Sequence, residues 1–188
     1  MLEGRAMNLS STSFFFYLSK ILPVSYTLSY IVLIITAAVL FYVAFTDLKN
    51  YKIPNEFVLV LAGLYLIHTL VSGRWAIFHW NLAFAAIMFI PLLFAYSRRM
   101  LGGGDVKLLT VAFLWTGPDC ALVFATFLLG FSTGHLIAAK LKWVHALETD
   151  GRRRVPYAPS IAAALIGTFM LGCLAPLTYT PLGPVPFH

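Results

Sequence analysis

Six apolar runs, each much longer than a typical strand and almost free of charge, constrain this chain more than any other feature. They cover about 28–46, 57–72, 79–97, 106–117, 120–139 and 158–177. A helix needs about 20 apolar residues to cross the hydrocarbon of a bilayer. A lipid-exposed segment must also satisfy its backbone N–H and C=O groups internally, and a helix does so. The pattern therefore predicts an all-α polytopic membrane protein with six transmembrane helices. The 106–117 run is short and must borrow residues from Leu101 to Asp105, or meet a thinned bilayer. Composition agrees. Of 188 residues, 60% are hydrophobic and 11% charged, against roughly 25% charged in a soluble domain.

Local signals refine the runs. Pro91 lies inside the third, where neighbouring helices can satisfy the freed carbonyl. Gly130 and Gly134 form G-x-x-x-G in the fifth, which suggests close helix packing within the chain more than a dimer face. Residues 1–27 read as an N-terminal extension, interfacial or in part added sequence. Lys20 and Pro23 argue against one continuous span from Phe14, and no small-residue cleavage site marks a signal peptide. Residues 28–178 then form the membrane domain and 179–188 a short tail.

The formal net charge is +6, but the basic residues sit between apolar runs, and no nucleic-acid motif accompanies them. Nucleic acid is excluded as a partner, and anionic membrane lipid is the expected one. Basic residues in short loops mark the cytoplasm. The loops after the first, third and fifth runs hold two, three and five of them: Lys49 and Lys52; Arg98, Arg99 and Lys107; Lys140, Lys142, Arg152, Arg153 and Arg154. The other side holds Arg5, Lys20 and Arg74, which completes the thirteen. This bias predicts both termini outside.

The same topology sorts the seven acidic residues. Glu3 and Asp119 fall outside. Glu148 and Asp150 lie in a polar loop, and Glu56 suits the first turn of the second helix. Asp47 and Asp105 remain, at one membrane depth on the cytoplasmic side. Ionisable groups at such a boundary are costly and often functional. Two close carboxyls cannot both ionise easily and share one proton. One can activate water as general base while the other donates a proton. Neither role belongs to a particular residue, since the titration belongs to the pair. On charge and topology alone another reading stays open, with Asp47 an interfacial charge near Lys49 and Asp105 an N-cap. Gly102, Gly103 and Gly104 favour the pair, because a plain cap does not need three residues without a Cβ. The chain has no H-E-x-x-H and no C-x-x-C, so no metal or other cofactor is expected.

Three blocks resemble the prepilin peptidase (type IV leader peptidase) family of membrane aspartic proteases. Asp47-Leu48 followed by Lys52-Ile53-Pro54-Asn55 is similar to its first aspartate block. Gly102-Gly103-Gly104-Asp105-Val106-Lys107 is similar to its G-x-G-D block. Val155-Pro156-Tyr157-Ala158-Pro159 is similar to the P-Y-G-P-type start of its last helix, with Ala158 where glycine is usual. The resemblance implies that Asp47 and Asp105 are the catalytic pair. It implies that Gly102, Gly103, Gly104, Lys107, Pro54, Asn55, Pro156 and Tyr157 support the site. It further implies cleavage of a basic leader from a prepilin or pseudopilin, after a glycine, at the cytoplasmic face of a bacterial or archaeal membrane. The cysteine-rich cytoplasmic region of bifunctional members is missing, so no N-methyltransferase activity is expected. The chain looks like the short branch associated with tight-adherence (Flp-type) pili.

Two rival classes are a membrane scaffold that keeps the motif for packing, and a small transporter. The transporter would show inverted repeats, which this sequence lacks. Cys120 and Cys173 are expected near the outer face. Two free buried thiols are the favoured reading, with a disulfide the alternative.

Overall fold

A computed structural model describes the backbone of residues 7–50, 53–140, 147–149, 152–154 and 156–172, and the side chains of 27–50, 53–138 and 156–172. The elements in order are α1 (Met7–Asn50), α2 (Asn55–Ser72), α3 (Trp75–Ser97), α4 (Gly103–Lys140), β1 (Leu147–Thr149), β2 (Arg152–Arg154) and α5 (Ala158–Met170). The all-α class holds, apart from one small antiparallel hairpin. β1 and β2 pair Leu147 with Arg154, Glu148 with Arg153 and Thr149 with Arg152. The polar-loop reading did not anticipate this hairpin.

Among the described residues four helices are long and apolar enough to cross a membrane: Thr27–Asn50, Asn55–Ser72, Trp75–Ser97 and Gly103–Ala138. The last has 36 residues, or about 54 Å if straight, far more than a bilayer core needs. It is not straight. Gly117, at φ 57° and ψ −173°, breaks it, in a backbone region open essentially to glycine alone. Pro118 follows and suits the first position of a new helix. Asp105, near the start of α4, and His135, near its end, both lie within electrostatic reach of Asp47. The two arms, 103–116 and 118–140, therefore fold back as a helical hairpin, and the Phe113 and Phe124 rings meet across it with centroids 5.4 Å apart. The short run at 106–117 does borrow from the glycine run, since its helix begins at Gly103.

α1 continues back through Lys20 and Pro23 to Met7, and its candidate membrane-crossing stretch is Thr27–Asn50. Two expectations need correction. α5 ends at Met170, short of 177. Gly172, at φ 71°, donates its N–H to the Phe169 carbonyl and closes the helix. Among the described residues Gly130 and Gly134 have no packing neighbour, since a Cβ at either would meet nothing there within 4 Å. The close approach falls at Gly167, where a Cβ would stand 3.5 Å from the Phe127 ring. Residues 1–6 and 173–188, with the proposed tail, lie outside the described residues.

The core is built where α1, α2, α4 and α5 face one another. Leu40, Val43, Leu61, Leu108, Trp115, Phe124, Ile161 and Leu165 are fully or almost fully buried there. Trp115 is an anchor: its indole Nε1–H donates to the Leu61 carbonyl of α2 at 3.0 Å. Its ring packs against Tyr65, His68 and Phe169. Buried hydroxyls are satisfied within their own helices, as where Thr36 donates to the Val32 carbonyl and Thr168 to that of Ala164. Large apolar side chains such as Phe41, Leu59, Ile90 and Leu122 point outward. So much exposed apolar surface suits lipid, not water. α3 carries it furthest, with Asn81 and Ala85 its buried residues.

Candidate active site

The last turn of α1 carries Asp47, and burial leaves its side chain 5% exposed. A carboxylate so placed needs donors. One comes from α5, whose Ala158 N–H donates to Asp47 Oδ2 at 3.2 Å. Ala158 is fully buried at the first position of that helix, after Pro156 and Tyr157 and before Pro159. The P-Y-A-P segment thus aims a helix N-terminus, with its free N–H groups and positive dipole end, at Asp47. Pro156 is buried and Tyr157 half-buried against the core, which fixes the entry angle of the helix.

Asp105 is half-buried in the first turn of α4. It is not the N-cap, because the helix begins two residues earlier, at Gly103. Its Oδ2 instead reaches back to accept the Gly102 N–H at 3.3 Å, while the Gly102 carbonyl accepts from Val106. This is one half of a capping box, with the acid on the third residue of the helix. A Cβ at Gly102 would stand 2.8 Å from Asp105 Oδ2, so this glycine makes room for the carboxyl itself. Gly103 lies against the Tyr96 ring, where a Cβ would be at 3.4 Å. Gly104 lies against Ile53, where a Cβ would be at 3.1 Å from Ile53 Cβ. Each of the three glycines has its own neighbour.

Asp105 lies within electrostatic reach of Asp47. Their surroundings interlock as well. Pro54 caps α2 in extended backbone with no side-chain cap bond, and turns the chain so that Ile53 presses on the Gly104 backbone. Asn55 Oδ1, at the start of α2, accepts a 2.9 Å hydrogen bond from Lys107 Nζ of α4. All ten predicted site residues therefore gather at one end of the bundle. Lys107 and Asn55 lie on its exposed rim.

Sequence reasoning missed two neighbours. His135, near the end of α4, places Nδ1 3.3 Å from Ser160 Oγ of α5 and acts electrostatically on Asp47. Ser160 is 3% exposed. Their one signal was an ionisable side chain inside an apolar run. The opposite end holds a separate polar cavity of about 30 Å³, lined in part by Tyr65, His68, Arg74, Asn81 and Asp119. Asp119 is thereby set apart from the pair, as the charge count required. Cys120, which also lines this end, is disulfide-bonded. That overturns the free-thiol reading for it. Its one possible partner within the chain, Cys173, lies outside the described residues.

The described residues hold no cluster of three or more His, Cys, Asp or Glu fit to bind a metal ion. What the site offers is acid–base chemistry: two interacting carboxyls, each held by a backbone N–H, at the end of an apolar bundle.

Comparison with curated proteins and with solved structures gave no match. A family model for the type IV leader peptidase family matches residues 34–139, more than half of the chain. That stretch includes Asp47, the Ile53-Pro54-Asn55 turn, the glycine run, Asp105 and His135. The chain belongs to the type IV leader peptidase family, and so is a membrane-embedded protease.

Proposed function

We propose that the protein is an aspartic endopeptidase that removes the basic leader of a prepilin or pseudopilin, with Asp47 and Asp105 as its catalytic pair. One observation carries the reading. Three blocks far apart in the sequence, around Asp47, Asp105 and Ala158, meet at one end of the bundle with the two carboxyls within electrostatic reach of each other. A scaffold has no need to hold two acids together among apolar helices, where their repulsion is costly.

In this mechanism the pair shares one proton. The ionised carboxyl takes a proton from water as it attacks the scissile carbonyl. The protonated carboxyl first polarises that carbonyl and then delivers a proton to the leaving nitrogen. The Ala158 and Gly102 N–H groups hold the two carboxyls in place through the exchange. With the α4 hairpin counted as two crossings and α5 as one, the bundle crosses the membrane six times. The excess of basic loop residues then puts the site at the cytoplasmic face and the termini outside. There a leader rich in Lys and Arg precedes a glycine at the cut. Methylation of the new N-terminus is not part of the activity, and the tight-adherence class supplies the substrate.

The test is co-expression with a prepilin-like substrate. Asp47→Ala and Asp105→Ala should each abolish cleavage while the protein still accumulates in the membrane, and chelators should have no effect. Full cleavage by both variants would exclude the pair. Normal pilus assembly with both acids changed to Asn would favour the scaffold.

A further inference from the structure

His135 is the ionisable group beside the pair that the two-carboxyl scheme leaves unused. It sits in the returning arm of α4, where Gly134, Leu136 and Ile137 face outward and are exposed. The imidazole instead turns inward, half-buried, and meets Ser160 Oγ at 3.3 Å through Nδ1. An aliphatic side chain would fill such a place more cheaply than a polar ring. Ser160 lies two residues beyond Ala158, in the first turn of α5, and Ala158 gives Asp47 its N–H. The His135 contact therefore ties the returning arm to the turn that holds the carboxylate. Among the described residues, the charged group that acts on His135 is Asp47 itself. Its second nitrogen, Nε2, is buried and has no hydrogen-bond partner among the described residues.

We propose that His135 is a positioning residue for Asp47: through Ser160 it fixes the first turn of α5, and its imidazole sets the electrostatic surroundings of the carboxylate. The proposal rests on the aspartic-protease reading above and adds a third side chain to it. His135 forms no bond to substrate in this role. It keeps the Ala158 N–H on Asp47 Oδ2, so that the carboxyl stays aligned with Asp105 as the proton moves. Both tautomers fit. Either Nδ1–H donates to Ser160 Oγ, or the Ser160 hydroxyl donates to Nδ1.

The experiment compares wild type with His135→Leu, His135→Asn and Ser160→Ala, together with Asp47→Ala and Asp105→Ala. Cleavage of a purified prepilin-like peptide with a basic leader is followed in membranes across pH, with kcat and KM separated. His135→Leu should lower kcat about tenfold, the scale of one lost hydrogen bond, with KM within about twofold of wild type. His135→Asn, whose amide can still meet Ser160, should recover most of kcat but keep a displaced acidic limb in its rate–pH profile. Ser160→Ala should lower kcat and leave that profile unmoved. If His135→Leu fails to accumulate, the Asn variant decides through its pH profile. A wild-type rate and profile in His135→Leu, or in His135→Asn, would overturn the proposal. If the Asp variants are inactive in the same assay, His135 alone loses its role. Cleavage by the Asp variants would remove the underlying reading as well.

Discussion

The two aspartates lie in opposite kinds of cradle. Asp105 is held locally: its carboxyl folds back on the Gly102 N–H three residues away, and the glycine run that allows this precedes it in the chain. Asp47 is held at long range, by the N–H of a residue 111 positions later, in a different helix. Asp105 is half-buried, and its bond to Gly102 is exposed; Asp47 and its bond to Ala158 are buried. The contrast teaches how a paired-acid site can be assembled in a small bundle. One carboxyl comes preset by its own helix start, and the other is set only when the bundle closes on it.

If both cradles serve one reaction, the acids should prove equally necessary. Asp47→Asn and Asp105→Asn each keep the shape and lose the proton chemistry. Each should lower cleavage by about 10²–10⁴-fold, measured on a prepilin-like substrate. A large loss in one and not the other would mean that the two settings do not form a pair. The next largest effect should come from the hairpin corner. Gly117→Ala puts a Cβ into the Asn81 amide at a backbone conformation closed to other residues, which should cost about 1–3 kcal/mol. Thermal unfolding in detergent reads this directly. Activity should fall with it, because α4 carries Asp105 on one arm and His135 on the other.

Gly102→Ala separates the local cradle from the tertiary one. Its Cβ meets the mobile end of Asp105 and not backbone, so stability should barely change while cleavage falls about tenfold through the displaced carboxyl. Thermal unfolding beside the cleavage rate checks both halves, and equal losses in the two would show that Gly102 serves only the fold. The smallest effect belongs to the rim. Lys107→Ala removes an exposed bond to Asn55, and cleavage should stay within about threefold of wild type, as for other exposed polar contacts. A larger loss, seen mainly in KM, would make Lys107 a contact for substrate.

Much of this site is readable in the sequence. The carboxyl of Asp105 and its glycines are neighbours in the chain, and a Gly run before an acid carries its geometry with it. The break in α4 was also legible, since Gly117-Pro118 divides two apolar runs and only glycine adopts the backbone found there. His135 and Ser160 were not legible. They are 25 residues apart, in different helices, and no spacing rule links them to each other or to Asp47. The G-x-x-x-G signal is weak for the same reason: a pattern on one helix does not say which face meets a neighbour, and Gly130 and Gly134 meet none among the described residues.

By itself the sequence determined the solvent and the helical class. Each of these depends on how many apolar residues stand in a row and where the charges interrupt them. Only the tertiary structure decided what Asp47 touches, that α4 doubles back to bring His135 to it, and which glycines meet a neighbour. Those contacts are set when several apolar faces are buried at once, and burial is a property of the assembled bundle, not of any one segment.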